Sequence, residues 1–161
     1  MPNVQPVRRL AESIKAVPES TVALGIARTS AATAAYINGT FGHICEYDDA
    51  HMLAWHTSSA VLPAALALAE RDNASGRDLI TAVVAGVQVM SLLGAVTGAG
   101  MQASGWHGSK VLGVFGAAAA AGKVLELTEL EITNALGIAT SDAGGTMEYD
   151  QSGGEVKRLH V

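Results

Sequence analysis

Apolar residues recur three and four positions apart along most of this chain, and the polar stretches between them carry the residues that start and stop helices. Over residues 7–17, Val7, Leu10, Ala11 and Ile14 share one face while Arg8, Arg9, Glu12 and Lys15 fall elsewhere, which predicts a short amphipathic helix ended by Pro18. Ser30 stands as an N-cap before Ala31, Ala34, Ala35, Ile37, Phe41 and Ile44, a second helix whose Gly39 and Gly42 suit a close crossing. Pro63 fits the first turn of a third helix through AALALAE, where its missing N–H has no intrahelical acceptor to lose. Ser75 with Asp78 resembles a capping box before a long apolar helix broken by the glycines of residues 98–108. Residues 109–125 predict another helix, and Thr128 with Glu131 is a T-x-x-E box opening one through Ala139; the last stretch is Gly-rich and polar. No strand-like alternation of useful length, repeat or low-complexity linker interrupts this series. The pattern predicts an all-α, Ala/Gly-rich helical bundle of about six helices in a single domain, residues 1–161.

Composition sharpens that picture. Hydrophobic residues make up 49% of the chain and aromatics only 4%, so the core must be built from Ala, Val, Leu and Ile with backbones drawn close at glycines. A net charge of -5 argues against nucleic acid as a partner. The single cysteine, Cys45, cannot close an intramolecular disulfide, and no signal-peptide series opens the chain, so a cytoplasmic location is expected. Residues 79–100 carry no charge and are long enough to span a bilayer. Thr81, Gln88, Ser91 and Thr97 interrupt them, however, with no flanking Lys/Arg cluster or aromatic belt. A soluble helix buried on all sides is the expectation, and no membrane partner.

Chemistry concentrates in EYDDAHMLAWHTSSA, which lacks an apolar period and reads as a loop. Glu46, Asp48, Asp49, His51 and His56 lie there within eleven residues, enough for an acid, a base and groups to orient them, or for an ordinary solvated turn. His51 and His56 are five apart and match no HExxH pattern, so no metal site is assigned. His107, in SGWHGSK, sits between glycine-containing segments just before a helix start, where an anionic ligand is favoured. Lys157, Arg158 and His160 make a basic end that can hold carboxylates or lie exposed. Cys45 has no activating partner in sequence, and GIAT around Thr140 is no nucleophile elbow.

Taken in order, INGTFGHICEYDDAH, HTSSAVLPAALALAE, SGRDLITAVVAGVQV, WHGSKVLGVFGAAAAAGKVLEL, NALGIATSDAGG and KRLH resemble the MmgE/PrpD family, from about Ala31 to His160. The resemblance implies part of an all-helical N-terminal domain, without the α+β domain that family members insert later in sequence. It also implies a lyase acting on a small polycarboxylate without an obligatory cofactor, commonly as a homodimer. Dehydration of 2-methylcitrate in propionate metabolism is the expected reaction; cis-aconitate decarboxylation, epimerisation or a non-catalytic binding remnant are the alternatives.

Residue by residue, the family's acidic block, D-F-D-D-T-[WH], places its first acid at Glu46, which keeps the charge, and its threonine at Ala50, which loses a hydroxyl. The H-P-S histidine falls on His56, with Thr57 and Ser58 following; the H-P-[PT] histidine falls on His107, with Gly108 for proline; the lysine before L-H falls on Lys157. The resemblance therefore implies His107 and His56 as acid and base in an unassigned order. Lys157 is implied to hold a substrate carboxylate and Glu46 to tune a histidine. Asp49, His51, Ser109 and Arg158 are the accompanying substrate-binding candidates.

Overall fold

The computed structural model describes residues 4–160. Seven α-helices are found among them: α1 (Val4–Ser13), α2 (Ala31–His43), α3 (Thr57–Asp72), α4 (Gly76–Ala103), α5 (Gly108–Val124), α6 (Glu129–Asp142) and α7 (Glu148–Ser152). An all-α bundle is thus observed, with one addition: β1 (Ser20–Thr21) and β2 (Arg28–Thr29) form a two-residue antiparallel pair after α1, with Ser20 opposite Thr29. Strands this short carry no alternation to detect. Two 3-10 turns, Ala23–Gly25 and Glu155–Leu159, complete the elements.

Local chemistry explains most helix starts. Ser30 accepts from the Thr33 N–H, and Ser75/Asp78 and Thr128/Glu131 form full capping boxes in which each side chain satisfies the other's backbone donor. The start of α3 is a correction. It begins at Thr57, leaving Pro63 inside the helix, because Asp49 reaches across the loop and accepts the N–H groups of Thr57 and Ser58. Helix α4 likewise runs through Gly98 and Gly100 and ends at Ala103, since glycine lowers helix propensity without preventing a packed helix from continuing.

The main core lies where α3, α4 and α5 meet, around Val61, Ala65, Ala82, Met90, Leu112 and Ala120. Small residues set the spacing. A Cβ on Gly86 would come within 2.6 Å of the Gly116 carbonyl oxygen, and one on Gly116 within 2.5 Å of Met90 Cγ, so α4 and α5 cross almost backbone to backbone.

Helix α4 is covered on one side only. Ala82, Gly86, Met90, Gly94 and Gly98 form its buried seam, while Ile80, Val84, Leu92 and Val96 remain exposed. Burial on all sides is therefore not found, because α3, α5 and the loop before α3 reach one face of this helix. By length and composition alone, α4 is also apolar enough to cross a membrane.

Candidate functional site

The loop between α2 and α3 is held at both ends. Asp49 fixes its far end by bonding the backbone and hydroxyl groups of Thr57 and Ser58. Burial pushes the Asp49 carboxyl up, but these donors outweigh it and leave it below its usual range. Asp49 is thus a cap whose two oxygens are both engaged within the protein.

The same loop brings three side chains together. Asp48 lies with both carboxylate oxygens 3.0 Å from His43 Nδ1 and with Oδ2 3.4 Å from His56 Nδ1. The two imidazoles stand 4.5 Å apart, His43 is fully buried, and His56 Nδ1 lies 2.9 Å from the Asp49 carbonyl oxygen. Ser109, buried at the head of α5, accepts from the His56 backbone N–H at 3.3 Å. One ligand-capable atom each from His43, Asp48 and His56 lie within 4.8 Å of one another, a donor set that suits zinc or iron. Hydrogen bonds already account for that spacing, since the Nδ1 atoms of both rings face protein acceptors.

Across from this cluster the chain's end is tied to the start of α5. The His107 N–H donates to the Gly145 carbonyl at 2.8 Å and the Met147 N–H to that of Gly105 at 2.9 Å. These bonds bring Tyr149, Lys157 and His160 beside His107. The Nδ1 atoms of His107 and His160 are 3.2 Å apart, so one ring donates and the other accepts, and Tyr149 meets both rings edge-on. Lys157 donates to Glu46 at 2.5 Å, closing the loop side onto the C-terminal side.

Glu46, Tyr149, Lys157 and Arg158 line a polar pocket of about 220 Å³. His160 instead borders a largely apolar pocket of about 200 Å³ with Ser59, Ala60, Lys110 and Val114. The Lys157 hydrogen bond is the main reason Glu46 is held below the ordinary carboxylate range, with the charges of Lys157, His43 and His56 adding to it. Burial, then His160 and Lys157, drives His107 from the usual 6.5 down to about 3. Burial, helped by Asp150 and Glu46, pushes Tyr149 up to about 12, and burial with Lys110 lowers His160.

Glu46, His56, His107 and Lys157 thus gather from three chain segments, with Ser109 under His56 and Arg158 on the pocket wall. Arg158 is bonded to Glu155. His51 turns away from this group: its Nδ1 accepts from the Leu53 N–H, and its Nε2 lies 3.5 Å from Ser91 on α4. Residue-type reasoning gave no role to His43 or Tyr149. His43 carries a signal in hindsight, as the one imidazole on the buried face of α2, five residues before Asp48.

A depressed histidine implies a definite pH response. Because native His107 binds its proton only near pH 3 while the unfolded ring binds it near 6.5, lowering the pH between those values adds a proton to the unfolded state alone. Stability is therefore full above 6.5 and falls as the pH drops toward 3. Urea unfolding at pH 7 and pH 5 is expected to show a larger loss for the native sequence than for His107→Gln; equal losses would place the ring in a solvent-like environment.

The family model for the MmgE/PrpD N-terminal domain matches residues 1–161. The chain belongs to the MmgE/PrpD family. It is 39% identical to the cis-aconitate decarboxylase-like protein oryM of Aspergillus oryzae over 78% of this chain and 28% of that one. It is 38% identical to cis-aconitate decarboxylase of Homo sapiens over 80% of this chain and 27% of that one, and 41% identical to cis-aconitate decarboxylase of Aspergillus terreus over 78% and 27%. This MmgE/PrpD chain thus spans little more than a quarter of the length of those relatives.

Proposed function

We propose that this domain provides one wall of a lyase site for a small polycarboxylate, with loss of CO2 from a cis-aconitate-like tricarboxylate as the favoured reaction. The observation that carries the proposal is the Lys157–Glu46 pair beside His107 and His160: a cation already engaged by a carboxylate, next to a buried neutral imidazole. An incoming substrate carboxylate can replace Glu46 on Lys157. Breaking a carbon–carbon bond to release CO2 leaves an electron pair on the substrate, which delocalisation toward a remaining carboxylate stabilises and a positioned acid quenches with a proton. The anionic substrate would itself raise the His107 pKa by offsetting the cations that lower it, so the ring becomes a competent acid only when the site is filled.

The names of the relatives support decarboxylation over dehydration of 2-methylcitrate, although both reactions can use the same cationic binding groups. A second reading, a non-catalytic carboxylate-binding remnant, is favoured by Ala50, where the family's threonine hydroxyl is missing. The exposed apolar stripe of Ile80, Val84, Leu92 and Val96 supports a homodimer.

The test is an NMR time course with cis-aconitate and with 2-methylcitrate in separate reactions. CO2 release from the first, with kcat/KM reduced about 10- to 100-fold by Lys157→Met, is the expected result, the size being that of one lost charged hydrogen bond. Water elimination from the second alone would move the protein to the hydro-lyase side. With the reactions run on the full-length protein that carries this domain, a folded sample inert to both would favour the remnant.

A further inference from the structure

We infer that Asp48, clamped by His43, is a positioning residue that prepares His56 to accept a proton. The inference rests on the reading of His56 as the base of the proposed lyase site.

His43 decides the arrangement. Its ring is fully buried, its Nδ1 faces both Asp48 oxygens at 3.0 Å, and its Nε2 is buried with no hydrogen-bond partner. An orphaned N–H in that place would forfeit a strong donor, whereas an orphaned lone pair on a neutral ring is the lesser cost. His43 is therefore neutral, with its one proton on Nδ1 and directed at Asp48. It holds the carboxylate in place without neutralising it.

The negative charge of Asp48, whose side chain is 6% exposed, is then left for the other imidazole within reach. His56 presents Nδ1 to Asp48 Oδ2 at 3.4 Å and to the Asp49 carbonyl oxygen at 2.9 Å. Two acceptors on one side of the ring fix the Nδ1–H tautomer, and the lone pair falls on Nε2. When Nε2 takes a proton from a substrate carbon or hydroxyl, the resulting imidazolium stands beside Asp48. The logic is that of a carboxylate that orients and stabilises a catalytic histidine without itself accepting the proton.

Other titratable groups bear on the same ring: His43 from α2, Glu46 from the loop, and His107 at the head of α5. Glu46 is already paired with Lys157, so Asp48 is the carboxylate in contact with His56 that is not engaged by a cationic side chain.

The test is nitrogen-15 NMR of the histidine side chains through a pH titration, which needs no turnover. In the native chain the neutral His56 ring is expected as the Nδ1–H tautomer. In Asp48→Asn the preference for that single tautomer is expected to weaken, with partial recovery in Asp48→Glu. If Asp48→Asn fails to fold, His43→Gln is read in the same way, with loss of a single His56 tautomer as the expected result. An unchanged His56 tautomer population in folded Asp48→Asn, or in His43→Gln, overturns the inference. In a preparation that turns over, Asp48→Asn should lower kcat at least about tenfold with little change in KM. If His56 shifts as expected while His56→Ala leaves turnover intact, the positioning stands and the base assignment is what fails.

Discussion

His107→Ala is expected to reduce turnover by at least about 100-fold, the lower scale for removal of a positioned acid or base. Three features place this ring at the centre of the proposed chemistry. It is 5% exposed, it stands at the N-cap of the 17-residue helix α5, and it shares a hydrogen bond with His160. The positive end of α5 and the nearby Lys157 both oppose a second proton on the ring until an anion arrives. The substitution leaves the local backbone intact, because the bond from residue 107 to the Gly145 carbonyl is made by the main-chain N–H. Steady-state rates on a variant with native circular dichroism therefore isolate the imidazole. Near-normal turnover would remove His107 from the reaction and leave His56 as the remaining acid or base that the family resemblance implies.

What can be read from the sequence divides by range. The Ser75/Asp78 and Thr128/Glu131 boxes each close within three residues, and α4 and α6 start where those pairs predict. The start of α3 depends on Asp49, eight residues before Thr57, and Pro63 misleads because it obeys a local rule that the capping carboxylate overrides. The exposed face of α4 is legible as apolar but not as uncovered, since the same composition serves a core helix or an interface.

The site follows the same division. Glu46 and Lys157 are 111 residues apart and His107 and His160 are 53 apart, so no spacing rule joins them; the family resemblance named Glu46, His107 and Lys157 as candidates but gave neither of these contacts. His43 escaped because at the end of α2 it looks like a residue placed for the helix terminus. Its meaning comes from Asp48 folding back onto it, a contact made by the turn beyond the helix.

The largest loss of stability is expected from Gly94→Ala. A Cβ built on Gly94 would lie 1.8 Å from the Leu53 carbonyl oxygen, 2.8 Å from its carbon and 3.2 Å from Leu112 Cδ1. Backbone cannot rotate away as a side chain can, so either α4 or the loop holding Leu53 must move, at a cost of about 3 kcal/mol. That loop is the one that carries the site. Trp55, two residues on, bonds back to His51 and packs its indole on Gly98 and Gly108, filling the room left where the family pattern has proline. Displacing Leu53 therefore also strains the hold on His56. Gly100→Ala is the matched control, in the same helix with nothing within 4 Å of the added methyl, where about 1 kcal/mol of added stability is expected from helix propensity. Urea midpoints that move in opposite directions for the two variants would establish that the α4 seam presses on the loop between α2 and α3. A Gly94→Ala protein as stable as the native one would mean that the loop stands off the helix, and with it the shelf on which Asp48 and His56 meet.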